Sequence, residues 1–154
     1  MLGKLTRWLR MLGCDVKYQN DLNDDELIKI AAEENRILLT RDVQLYRRAI
    51  INGIQAYLVR SRTETEKLAE VTQQFCIKLE IDATNSRCPK CNAGLEPVPK
   101  DEINDKVPQA TSRLHNDFWK CIDCGKIYWH GSHWLKINRK LLDAKALVKP
   151  ETQK

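Results

Sequence analysis

Four of the six cysteines fall into two Cys-x-x-Cys pairs, Cys88/Cys91 and Cys121/Cys124, with residues 92–120, 29 in all, between them. Two close pairs of thiolates supply the four sulfurs that a tetrahedral structural Zn²⁺ takes, whereas a redox disulfide would need one pair alone. Asn92 and Gly125 follow the pairs, and both residue types accept the positive φ required where a chain wraps a metal. His115, His130 and His133 lie in or near the same stretch. Four thiolates already fill the site, so these histidines are expected to pack, meet phosphate or face solvent.

A second group is acidic. Asp24 and Asp25, with Glu26 beside them, and Asp42 further on all fall near the expected ends of strands. Carboxylates gathered in one place repel unless a cation lies between them. Mg²⁺ or Mn²⁺ takes oxygen ligands and can activate water and stabilise an oxyanion leaving a phosphodiester. The same residues have a structural alternative: Asp24 or Asp25 can cap the helix that follows, and Asp42 the next one.

The elements that must position these groups can be read from periodicity. Residues 2–12 place Leu2, Leu5, Leu9 and Leu12 on one helical arc and Lys4, Arg7 and Arg10 opposite, with Gly13 as the stop. CDVKY alternates like a short strand, residues 20–25 form a polar loop, and DELIKIAAEEN resumes a helix with acidic residues at its favourable end. RILLT and AYLV are short apolar strands, separated by the helical VQLYRRAI and a break at Asn52-Gly53. TETEKLAEVTQQFCIKL follows as a helix opened by Thr63 and Glu66 in capping-box spacing. Strand and helix alternating three times predicts an α/β layer with a mainly parallel sheet over residues 1–82, functional groups lying at the strands' carboxyl ends.

The texture turns polar near Asp82, and the cysteine module is expected over 83–135, with a helix from about Lys136 and a polar tail completing 136–154. Between the pairs, PVPKDEINDKVPQATSRLHND reads as a long loop, and Trp119, Tyr128 and Trp129 suit a small metal-dependent hairpin. Cys14 and Cys76 sit in apolar contexts expected to be core.

With 154 residues and 42% hydrophobic content, the chain can build a real core. It has no apolar run long enough to span a bilayer and no secretory signal, so a cytoplasmic protein without a membrane partner is expected. Residues 1–82 hold 13 Lys/Arg and 13 Asp/Glu, and residues 83–154 hold 13 and 8, so the net +5 belongs to the second part. Such a surface suits a polyanion such as RNA, or serves solubility alone.

MLGKLTRWLRMLG, NDDELIKIAAEENRILLTRD, SRCPKCNAGLEPV and FWKCIDCGKIYWHGSHW, in that order, resemble the PIN-like ribonuclease family named for the C-terminal domain of the Mut-seven exonuclease. The resemblance spans nearly the whole chain. It implies a PIN-like α/β domain followed by a zinc ribbon, and an endoribonuclease dependent on Mg²⁺ or Mn²⁺. Carried over by position, Asp24 or Asp25 and Asp42 are the catalytic carboxylates. Lys4, Arg7, Arg10 and Arg41 hold the RNA backbone, and Cys88, Cys91, Cys121 and Cys124 are the zinc ligands. Members of the family carry a short strand ending in aspartate just before the MLGKL motif, so an upstream start is expected, with a true truncation as the alternative. Two readings from other classes stand beside the nuclease: a non-catalytic zinc-ribbon RNA binder, and a zinc-held adaptor for proteins.

Overall fold

In the computed structural model, which describes residues 2–150, helix α1 (Gly3–Met11) buries Leu5 and Leu9 and turns Lys4 and Arg7 toward solvent. Gly13, with φ +93°, carries the chain out of the helix. A Cβ there would lie 3.1 Å from the Asn85 carbonyl oxygen, so glycine is required on two grounds. Residues 14–18 belong to no strand, contrary to expectation. Side chains satisfy their backbone instead: Val16 N–H donates to Asn92 Oδ1 at 3.0 Å, and the Val16 carbonyl accepts from Arg10. Backbone polar groups need a partner, and a side chain serves as well as a strand.

Helix α2 (Asp24–Glu33) is capped by Asn23 rather than by either aspartate. Asn23 Oδ1 accepts from Glu26 N–H at 3.0 Å, and Glu26 Oε2 accepts from Asn23 N–H at 2.8 Å, closing a reciprocal box. Strand β1 (Leu38–Thr40) leads through Asp42 into helix α3 (Val43–Ile51), and Gly53 turns the chain toward β2 (Ala56–Leu58). β1 and β2 pair in parallel, Leu38 beside Ala56 and Thr40 beside Leu58, so the parallel sheet has two strands.

Helix α4 (Glu64–Gln74) opens with the expected Thr63–Glu66 box but stops short of Leu79. Cys76 takes φ +53°, and the amides of Cys76 and Ile77 fold back on the carbonyls of Gln73 and Thr72 at 3.4 and 2.8 Å. This is a Schellman stop with cysteine where glycine usually marks it. Cys76 is therefore exposed, not core, while Cys14 is half-buried against the core as expected.

The second part forms an antiparallel sheet of β3 (Leu95–Pro97), β4 (Trp119–Cys121) and β5 (Ile127–Tyr128). The stretch expected as a loop contains helices α5 (Lys100–Ile103) and α6 (Gln109–Leu114). Pro99 and Pro108 stand at their N-caps, so prolines read as loop punctuation are helix starts. Ile103 and Val107 bury against Phe118 in a small core of their own.

Helix α7 (Ser132–Leu147) starts four residues before Lys136 and returns to the first part, where Leu141 and Ala144 pack with Leu5, Leu9, Val59, Leu68 and Val71. A separate cluster of Ala31, Leu38, Leu45, Ala49 and Ile54 holds α2 and α3 on β1. The last four residues of the polar tail lie outside the described range. Among the described residues, no helix is long and apolar enough to cross a membrane.

Candidate functional site

The four cysteine sulfurs lie within 4.8 Å of one another, with Cys88–Cys124 at 3.7 Å and Cys91–Cys121 at 3.3 Å. A tetrahedron with Zn–S bonds of about 2.3 Å has S–S edges of about 3.8 Å, so the donor set fits zinc in number, softness and size. Asn92 (φ +75°) and Gly125 (φ +73°) make the turns after each pair. The Tyr128 hydroxyl and Cys88 Sγ share a hydrogen bond of 3.0 Å. Burial pushes the Cys88 thiol up, but the Tyr128 hydroxyl and the amides of Cys91 and Lys90 outweigh it and bring it down to about 7. Cys91 goes the other way, up to about 12: the Ala93 amide favours its thiolate, but burial and the three neighbouring sulfurs prevail. Four sulfurs this close become thiolates together only around a cation. With all four positions filled by sulfur, such an ion is structural rather than catalytic.

No histidine joins this group. His130 stacks between Trp119 and Trp134, with ring centroids 4.9 and 3.8 Å away, and so fastens the sheet carrying β4 to the first turn of α7. His133 is exposed and His115 half-buried.

Asp42 is the N-cap of α3, its Oδ1 accepting from Gln44 N–H at 2.7 Å and Leu45 N–H at 3.2 Å. Asp24 and Asp25 converge on one cation, Arg48 of α3: Asp24 Oδ2 lies 3.4 Å from Nη1, and Asp25 Oδ1 pairs with Nη2. Arg48 is six residues after Asp42, about 9 Å along the helix axis at 1.5 Å per residue. The two acidic positions thus flank the same helix at different heights. Among the described residues, the four cysteines are the group of three or more ligating side chains that converges. A hard cation such as Mg²⁺ needs one or two carboxylates and completes its shell with water and phosphate oxygens. Asp24 and Asp25, already closed around a guanidinium, offer two.

The basic residues separate into three kinds. Arg7 is exposed, and Lys4 is exposed but ion-paired to Glu64 at 2.7 Å, which Lys140 shares at 2.8 Å. Arg41 is half-buried at the carboxyl end of β1. Arg10 is 6% exposed, and its guanidinium donates to the carbonyls of Val16, Pro89 and Lys90. It lies under the first cysteine turn instead of on an open face, because what packs over the polar side of α1 there is the knuckle itself.

Arg60 and Arg62 escape a sequence reading. They follow β2, whose last turn of pairing, Val59 N–H to Thr40 carbonyl at 2.8 Å, sets them at the same end of the sheet as Arg41 and Asp42. Glu70 of α4 pins that loop, accepting from Arg60 N–H at 3.0 Å, Ser61 N–H at 2.8 Å and the Tyr57 hydroxyl at 3.1 Å. Burial opposes the charge on Glu70, yet these donors hold its carboxyl below the usual range. The signal was the RSRT run directly after an apolar strand.

Among known proteins, the family model described as the Mut7-C RNAse domain matches residues 1–141. No curated protein and no solved structure matches the chain.

Proposed function

Since the chain belongs to the Mut7-C RNAse domain family, we propose that it is a PIN-like endoribonuclease that hydrolyses RNA phosphodiester bonds. The observation that supports this beyond membership is the placement of Asp42, Arg41, Arg60 and Arg62 at the carboxyl end of a parallel strand pair. In this reading Arg41, Arg60, Arg62, Lys4 and Arg7 hold backbone phosphates. The Glu70 carboxylate keeps the backbone at Arg60 and Ser61 in place before RNA arrives, which lowers the ordering cost of binding. Asp42 beside those arginines, and separately the Asp24–Asp25 pair, would each offer carboxylate oxygen to Mg²⁺ or Mn²⁺, an ion that when bound neutralises phosphodiester charge and makes water a better nucleophile. Arg48 keeps Asp24 and Asp25 facing one point. The four cysteines would hold zinc, on which the fold of the second part depends.

The Arg48 pairing favours a second reading, a non-catalytic RNA binder, because the acidic pair already has its counter-ion. Labelled single-stranded RNA separates the two. Cleavage that needs added Mn²⁺ and is lost in an Asp24→Asn/Asp25→Asn double variant supports the nuclease. Retention of intact RNA, unchanged by Mn²⁺, supports the binder.

A further inference from the structure

We propose that the zinc site and the first helix are one linked unit in which Arg10 is the positioning residue: metal on the four cysteines holds the 88–92 turn, and that turn holds the carboxyl end of α1 and the segment through Val16. Loss of zinc would then loosen the α/β part as well as the cysteine module.

The linkage is built from both sides. Arg10 Nε and Nη2 donate to the Val16 carbonyl at 3.0 and 2.8 Å, while Nη1 donates to the carbonyls of Pro89 at 3.0 Å and Lys90 at 3.3 Å. Pro89 and Lys90 are the two residues between Cys88 and Cys91, so one planar guanidinium spans the first part and the metal-binding turn. In return, Arg87 N–H donates to the Arg10 carbonyl at 2.9 Å, and the Ser86 hydroxyl donates to the Met11 carbonyl at 2.6 Å. Asn92, directly after Cys91, closes the other edge: its Oδ1 accepts from Val16 N–H at 3.0 Å and its Nδ2 donates to Asp15 Oδ1 at 2.7 Å.

Charge and metal geometry make this a coupling rather than a simple packing contact. Zn²⁺ with four thiolates carries a net charge of about −2, and a guanidinium is the natural counter-ion beside it. Burial disfavours the charge on Arg10, and Cys91, Cys88 and Asp15 offset only part of that penalty. The Pro89 and Lys90 carbonyls point together at Arg10 because their turn is closed between two ligands. With the ligands released, a buried cation loses two of its three acceptor carbonyls, a costly state that the end of α1 relieves by opening.

The full chain tests this without RNA. Zinc release to a chromophoric chelator is timed for the native protein, Arg10→Met and Arg10→Lys. Hydrogen exchange of residues 9–18 is followed with zinc bound and stripped. Release about 10- to 100-fold faster in Arg10→Met is expected, the range found when partners of metal ligands are removed. Arg10→Lys should restore part of it, since a single ammonium keeps the charge but cannot span both sides. Stripping zinc from the native protein should raise exchange at residues 9–18. Should Arg10→Met fail to fold, Asn92→Gly keeps the positive φ, removes both Asn92 links, and is expected to speed release and expose the Val16 amide. Native release rates in the variants, or unchanged exchange at residues 9–18 after stripping, overturn the proposal.

Discussion

Asp42 carries two roles that one pair of substitutions can pull apart. As N-cap of α3 it satisfies the amides of Gln44 and Leu45 through Oδ1 alone. Asparagine offers the same oxygen and is as good a cap, so Asp42→Asn should keep stability within about 0.5 kcal/mol. Alanine offers none, and Asp42→Ala should cost about 1 kcal/mol, or about 2–4 °C in Tm for a chain of this size. Cleavage should follow charge instead of capping. Both variants lose a carboxylate proposed to hold the divalent ion, which supplies several kcal/mol of transition-state stabilisation. A loss of about 3 kcal/mol corresponds to about 100-fold in rate. The assay pairs thermal unfolding with single-turnover cleavage of end-labelled RNA in Mn²⁺. Near-native cleavage by Asp42→Asn would refute the catalytic role and leave Asp42 as a cap only.

Glu70 gives a pH-dependent outcome. Its folded pKa lies below the unfolded one, so its contribution to stability is complete above about pH 4.3 and fades as pH falls through the folded value. The Tm difference between native protein and Glu70→Gln should therefore shrink below that pH, and a difference constant from pH 3 to 6 would count against the pinning role. Replacing Arg60 and Arg62 together with alanine should weaken single-stranded RNA binding and lower the log–log salt slope by about 1.4, at about 0.7 per phosphate. An unchanged slope would place the RNA elsewhere. Gly13→Ala forces a side chain onto φ +93° and against the Asn85 carbonyl, and should cost about 1–2 kcal/mol, seen as a Tm lower by about 2–8 °C.

What the sequence made legible is local chemistry. The Thr63–Glu66 box, the leucine arc of α1, the turns at Gly13 and Gly53 and the two cysteine pairs each announce themselves within a few residues, and the structure places them as read. What was illegible depends on distant partners. Residues 14–18 alternate like a strand, yet Asn92, far along the chain, takes the Val16 amide. The polar side of α1 read as one basic face, but Arg10 is covered by the turn at Pro89 and Lys90 while Arg7 remains exposed. Cys76 ends α4 in a conformation glycine would have signalled. Ile103 and Val107 supply too short an apolar pattern to predict α5, whose Ile103 buries against Phe118 far along the chain.

We propose RNA hydrolysis by Asp42 and the basic side chains at the carboxyl end of the β1–β2 pair, with the Asp24–Asp25 pair on α2. Its most direct test is the zinc-loaded protein incubated with 5′-labelled single-stranded RNA, with and without Mn²⁺, and the products resolved by length. Internal fragments are expected, and only with Mn²⁺. RNA that stays full length with protein bound, at every Mn²⁺ concentration tried, contradicts the proposal.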